Sequence, residues 1–410
     1  MMSVPKLRFK EFDGEWLSSN LGEISDIKTG PFGSTLHQED YVDIGTPIIT
    51  VEHLGEIEIT NQNLPLVSDA DKIRLKSYLL KTGDLAFSRV GSVDRCAIVT
   101  EKENGWLFSG RILRVRPNNE LIDSKNLMYA LKTEDAQYRI RSVAVGQTMP
   151  SLNTEILKNF PIILSNSKKE QTKIASFLSV VDEKISQLTK KHKLLSQYKQ
   201  GMMQKLFSQQ IRFKADDGSE FGEWEETVFE KIGTFLKGKG ISKADIIEDG
   251  FTPCIRYGEL YTHYGEVISK VISATNLEIE NLILSKANDV LIPASGETQI
   301  DIATASCVLQ ADVALSGDLN IFRTKENGIF LSYLIRSHLK MQIAQLAQGN
   351  SVVHLYSSQL KGVPLNLPCL EEQTQIANIL SSIDQKIEVV AQQIEQAKQW
   401  KKGLLQQMFV

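Results

Sequence analysis

The stretch KEQTKIASFLSVVDEKI (169–185) returns near the end of the chain as EEQTQIANILSSIDQKI (371–387), with ten of seventeen positions identical and a constant offset of 202. In the first copy Ile174, Leu178, Val181, Ile185, Leu188, His192, Leu195, Lys199, Met202 and Leu206 follow a 4–3 spacing. In the second, Ile376, Leu380, Ile383, Ile387, Val390, Ile394, Ala397, Lys401, Leu404 and Met408 do the same. Such a pattern keeps one apolar stripe facing a partner helix, so it predicts a coiled-coil seam rather than a face on a globular core. The simplest partner for each helix is the other one, with Lys199 and Lys401 as matching polar interruptions. At ~1.5 Å per residue, each would form a rod of roughly 55–60 Å.

The repetition extends upstream of the helices. GQTMPSLNTEILKNFPI (146–162) lines up with GNSVVHLYSSQLKGVPL (349–365), and GDLAFSRVGSVDRCAIV (83–99) with NDVLIPASGETQIDIATASCV (288–308). RFKEFDGEW (8–16) parallels RFKADDGSEFGEW (212–224). The order is a globular unit, a long helix, a second unit and a second helix, with expected bounds of 1–165, 166–210, 211–367 and 368–410. The units read as mixed α/β with short strands such as TPIITVE (46–52), DLAFSRV (84–90), RILRVRP (111–117) and DVLIPAS (289–295), separated by glycine and asparagine turns such as GPFGS (30–34). A helix is expected to close each, around 124–141 and 328–348.

The 410 residues suit two to four domains, and 42% hydrophobic with 23% charged residues is a folded composition. The start lacks a signal-peptide core, and no apolar run reaches the length of a membrane span. The four cysteines (Cys96, Cys254, Cys307, Cys369) are far apart without a CxxC, so a reduced, cytoplasmic protein is expected, without disulfides or structural zinc. Net charge is −4, but residues 166–210 carry nine basic against three acidic residues, whereas 368–410 carry four against five. DNA binding would therefore depend on local basic surfaces or on a partner that adds charge.

Catalytic motifs are missing from the sequence. GTFLKGKG (233–240) nearly spells a phosphate-binding loop, but Gly240 stands where a metal-holding hydroxyl is required. The six histidines form no HxH or HxxxH pair, and no metal site is expected. The chain is expected to carry no catalysis itself. What remains is recognition. Arg89, Arg95, Arg111, Arg114 and Arg116 fall within 28 residues, and arginine suits guanine edges and phosphates alike. In the second unit the candidates are Lys237, Lys239, Lys243, Arg256, Tyr257, Tyr261, Thr262, His263 and Tyr264. The repeated segments diverge most in these stretches, which points to two readers of different short sequences on one scaffold.

The tokens RFK…GEW before each unit, GQTMPSL/GNSVVHL near its end, and EQ-T-x-I-A-x-x-L-S-x-x-D-x-K-I opening each helix span nearly the whole chain. In this order they resemble the specificity subunit of a type I restriction–modification system. The resemblance implies two target-recognition domains, each reading half of a split DNA site, and an antiparallel helix pair that sets the gap. It further implies two modification subunits that methylate adenine with S-adenosylmethionine, and two motor-nuclease subunits that need ATP and Mg2+. This chain would bind none of those cofactors. The rival readings are a coiled-coil protein-binding scaffold without DNA sequence specificity, and a stand-alone nuclease.

Overall fold

Both repeated stretches are helical throughout, over Lys168–Phe207 (40 residues) and Leu370–Met408 (39 residues). The computed structural model describes residues 4–31, 35–146, 148–349 and 352–410. Parts of GPFGS, GQTMPSL and GNSVVHL lie outside the described residues. Among the described residues no helix is long and apolar enough to cross a membrane. Two compact units form, Met1–Thr189 with Gln392–Val410, and Lys190–Ala391. Each unit thus contains one half of each long helix.

In the first unit Trp16–Asn20 pairs antiparallel with Pro161–Ser165, joining the domain's beginning to its end. One four-stranded sheet runs in the order Ser25–Thr29, Ile112–Pro117, Leu85–Ser88, Cys96–Ile98. The other runs Tyr41–Val42, Leu66–Val67, Thr46–Ile49, Leu107–Phe108. Strand Leu85–Ser88 is buried along its whole length, which its unbroken run of small and apolar residues permits. The second unit repeats the plan. Its main sheet is Gly233–Lys237, Leu319–Thr324, Asp289–Pro293, Ser306–Val308, Val267–Ile268. Beside it stand Ser273–Thr275, Thr252–Ile255, Ala314–Leu315 and Ile283–Leu284.

The helix expected over 124–141 is two helices, Ser124–Leu131 and Glu134–Val143. Thr133 breaks it, because its hydroxyl accepts from Ala136 N and caps a new helix. Likewise 328–348 divides into Gly328–Arg336 and Lys340–Leu346.

Every seam position is buried or half-buried. In the first unit Leu178 and Val181 share a core with Leu404 and Met408, while Lys184 and Leu188 line a groove with Gln393 and Ala397. Numbers fall on one helix as they rise on the other, so the halves run antiparallel. In the second unit Leu206 packs with Ile376, Leu380 and Ile383.

The two lysines that interrupt the stripe have partners inside. Lys401 Nζ lies 2.6 Å from Asp182, which also accepts from the Tyr129 hydroxyl at 2.6 Å. In the second unit Lys199 Nζ lies 2.8 Å from Asp384 and 2.9 Å from Glu266, and Tyr333 donates to Asp384 at 2.5 Å. Burial, then the bond to the carboxylate, raises both phenols above their ordinary pKa.

The other repeated tokens meet in the same manner. Arg8 grips the buried Glu170 through Nε (2.6 Å) and Nη2 (2.8 Å) and donates to Gly14 O. Arg212 grips the buried Glu372 (3.1 and 2.8 Å) and donates to Gly222 O. Gln171 accepts from Asp123 N and Gln373 from Asn327 N, each bond fixing the N-cap residue of a domain helix. The RFK and EQ segments are therefore places where each long helix is fastened to its own domain.

Candidate nucleic-acid interface

A parallel strand pair decides where the candidate site lies. In the first unit Ile49 stands opposite Phe108 in parallel register, and Ser109 N donates to Ile49 O at 2.9 Å. Both chains therefore leave the sheet at one end, as Thr50–Val51–Glu52 and as Ser109–Gly110–Arg111. Arg89 joins them, its N donating to Arg111 O at 2.9 Å. Gly30 N donates to Ile112 O at 3.0 Å, which brings Pro31 to the same edge. These segments wall an open cleft of about 1020 Å³ that Arg89, Arg95, Arg111, Tyr41 and Glu52 help to line.

Three of the five candidate arginines of this unit thus come together. Arg89 Nη1 donates to Gly110 O at 3.0 Å, and Arg95 Nη2 donates to Leu54 O. Both guanidinium groups brace a cleft-forming turn. Arg111 is exposed and engages no side-chain partner among the described residues.

Arg114 and Arg116 do not join the others, and the expectation that they contact DNA is corrected accordingly. They share a face of their strand, as alternation requires, but carboxylates already cover that face. Arg114 is 3% exposed and pairs with Asp26, and burial lowers its pKa. Arg116 holds the buried Asp84 through two bonds (2.6 and 2.7 Å) and donates to Leu79 O, the pairing raising its pKa. Arg323 does the same in the second unit, with Asp289 (both 2.8 Å) and Leu284 O. An arginine kept in both copies with equivalent partners is part of the frame.

The second unit builds the same exit. Ile255 stands opposite Leu315 in parallel register and Ser316 N donates to Ile255 O at 3.0 Å. Arg256–Tyr257–Gly258 and Ser316–Gly317–Asp318 leave together, in the places of Thr50–Val51–Glu52 and Ser109–Gly110–Arg111. The charges are exchanged. The first unit has a carboxylate on the first loop and arginine on the second; the second unit has arginine on the first and a carboxylate on the second. Ala294 N donates to Asp318 O at 2.7 Å, so an alanine occupies the place of Arg89.

Lys237, Lys239 and Lys243 are exposed. Lys239 N donates to Leu315 O and Gly317 N to Gly240 O, which lays the KGKG segment beside the exit. A Cβ on Gly238 would collide with the Ser316 carbonyl, so close strand contact accounts for that glycine. Arg256 pairs with Glu259 at 3.2 Å. Tyr257 and Tyr264 are half-buried and pack on the core around Leu260 and Ile268. Tyr264 accepts from Ile272 N at 3.0 Å, and burial pushes its phenol up to about 12. Tyr261 is half-buried, whereas Thr262 and His263 are exposed with Thr262 Oγ1 2.6 Å from His263 Nδ1.

Sequence reasoning missed Glu52 and Asp318, although two short signals mark them. TPII (46–49) and TPCI (252–255) repeat, as do SGRILRVR (109–116) and SGDLNIFR (316–323). The first alignment places Glu52 against Gly258, and the second places Arg111 against Asp318.

A duplicated mixed α/β domain, fastened through matching ion pairs to two antiparallel helices and carrying divergent charged loops, defines a two-part reader. The chain belongs to the type I restriction modification DNA specificity domain family, whose model matches residues 13–196 and 222–399. It is similar to the type I restriction enzyme specificity subunits MjaX and MjaVIII of Methanocaldococcus jannaschii. The first is 27% identical, covering 98% of this chain and 94% of that one, and the second 26% identical, covering 97% and 94%. The crystal structure of a type I restriction–modification S subunit from M. genitalium shares the fold, with a TM-score of 0.63 at 17% identity over 100% of this chain and 99% of that one.

Proposed function

We propose that this chain is the non-catalytic, DNA-reading subunit of a type I restriction–modification complex, each unit recognising one half of an asymmetric, bipartite site. The reversal of charge at one equivalent position carries this reading: Arg111 in one unit, Asp318 in the other. One frame that presents a donor at this position in one unit and an acceptor in the other suits two different base sequences, because arginine donates to guanine and a carboxylate accepts from cytosine. The exposed Arg111, Lys237, Lys239 and Lys243, with Thr262 and His263, are the residues on which contact with DNA would fall. Arg89, Arg95 and Arg256 would shape the loops that carry them.

The antiparallel helix pair would set the gap between half-sites. Two modification subunits using S-adenosylmethionine and two motor-nuclease subunits using ATP and Mg2+ would supply the chemistry. Their enclosure of the DNA would offset a net charge of −4. The test is genome-wide adenine-methylation mapping of a host with and without this chain, the modification subunit being present in both. A split, asymmetric motif that vanishes without the chain is the expected result. An active modification subunit whose motif ignores the chain would instead favour a protein-binding scaffold.

A further inference from the structure

We infer that Arg111 and Glu52 together read one G·C base pair of the half-site recognised by the first unit, an inference that rests on the DNA-reading function proposed above. Three observations combine. Arg111 is exposed and without a side-chain partner among the described residues, so its planar donor fork faces solvent. Arg89 and Arg95 give donors to Gly110 O and Leu54 O, bracing the turns on which Arg111 and Glu52 sit. Glu52 lines the same cleft, is exposed, and accepts from Thr50 Oγ1 through Oε1 alone, so Oε2 is open to a donor among the described residues.

The carboxylate decides between a phosphate and a base edge. A phosphate entering this cleft would meet Glu52 as a like charge, whereas a cytosine presents its N4 amine as a donor. The guanine paired with that cytosine presents O6 and N7, the two acceptors that match a guanidinium fork. Parallel exit of the two loops from Ile49 and Phe108 sets arginine and carboxylate on neighbouring walls, as the two edges of a single base pair require. The second unit lacks this arrangement because Asp318 holds the place of Arg111, so guanine readout at this position belongs to the first unit alone.

The experiment maps methylated adenines in cells carrying the full chain, wild type or variant, beside its modification subunit. Arg111→Ala is expected to relax a single G·C position in one half-site, discrimination there falling roughly 5- to 150-fold. The other half-site and the gap should be unchanged. Glu52→Gln should relax the same position, and both purified variants should melt as wild type because both side chains are exposed. Three results would overturn the inference: an unaltered motif, relaxation at an A·T position, or weakening equal at all sequences with a salt slope shallower by about one, which marks a phosphate contact. A wild-type chain with no motif of its own would overturn the DNA-reading function itself, a separate outcome.

Discussion

Lys401 Nζ lies 2.6 Å from Asp182 Oδ1 within an otherwise apolar helix seam, and the lysine side chain is 8% exposed. The lysine is largely buried, so removing this carboxylate leaves its charge with one longer contact to Glu56. Asp182→Ala is expected to destabilise the first unit by about 3 kcal/mol, the low end of the range for a broken buried pair, because Glu56 remains 3.7 Å away. Combining it with Lys401→Met should recover more than half of that loss. Urea unfolding of the full chain measures both; a neutral single variant would remove the ion pair from the list of forces holding the seam.

The Tyr129 phenol makes the same contact pH-dependent at the alkaline end. Burial and its bond to Asp182 raise its folded pKa above an unfolded value of about 10. A raised folded pKa means that the phenol's contribution is full below pH ~10 and is lost as pH rises through the folded value. Tyr129→Phe should cost about 1 kcal/mol at pH 8. Its melting temperature should approach that of the wild type above pH 10. A gap that widens there would reverse the assignment.

Arg116 and Arg111 lie five positions apart and should fail in opposite ways. Arg116→Ala leaves the buried Asp84 without its partner, so a stability loss of about 3–5 kcal/mol is expected with no change in the recognised bases. Thermal melting paired with methylation mapping separates the two. An altered motif from a stably folded Arg116→Ala chain would return this arginine to the reading surface.

Gly238 and Lys239 divide in a similar manner. Gly238→Ala drives a methyl group into the Ser316 carbonyl and should destabilise the second unit. Lys239→Ala should leave melting unchanged while weakening binding to all duplexes alike, with a salt slope shallower by about one. A salt titration of purified chain on duplex DNA reads this directly. Loss of ATP binding in Lys239→Ala would instead revive the phosphate-loop reading of GTFLKGKG.

How much of this was legible in the sequence follows from what repeats. The helices and their seam are local and periodic, so the spacing from Ile174 to Leu206 was enough to find them. The reason for the RFK and EQ tokens was not legible, because Arg8 meets Glu170 across 162 positions and Arg212 meets Glu372 across 160. The reading surface was harder still. Arg114 and Arg116 have the same composition as a DNA-binding strand, and only Asp26 and Asp84, brought in from elsewhere in the chain, turn them inward. Pairing of Ile49 with Phe108 and of Ile255 with Leu315 makes the loops equivalent, and neither contact is local.

The helix pair makes the last prediction quantitative. A heptad inserted into a helix advances it by about 10 Å and returns the stripe to within about 20° of its face. Four residues advance it by about 6 Å and turn the stripe by about 40°. A heptad added to both helices, one after Gln187 and one after Val389, should therefore preserve an apolar seam. Both half-sites should keep their sequences while the gap changes by about three base pairs, since DNA rises ~3.4 Å per step. Four residues inserted into the first helix alone, within 186–200, should misalign Leu195 and Met202 and either alter the gap or abolish modification. Adenine-methylation mapping of both insertions decides the matter. A changed half-site with an unchanged gap would show that the helices help to read bases rather than set their spacing.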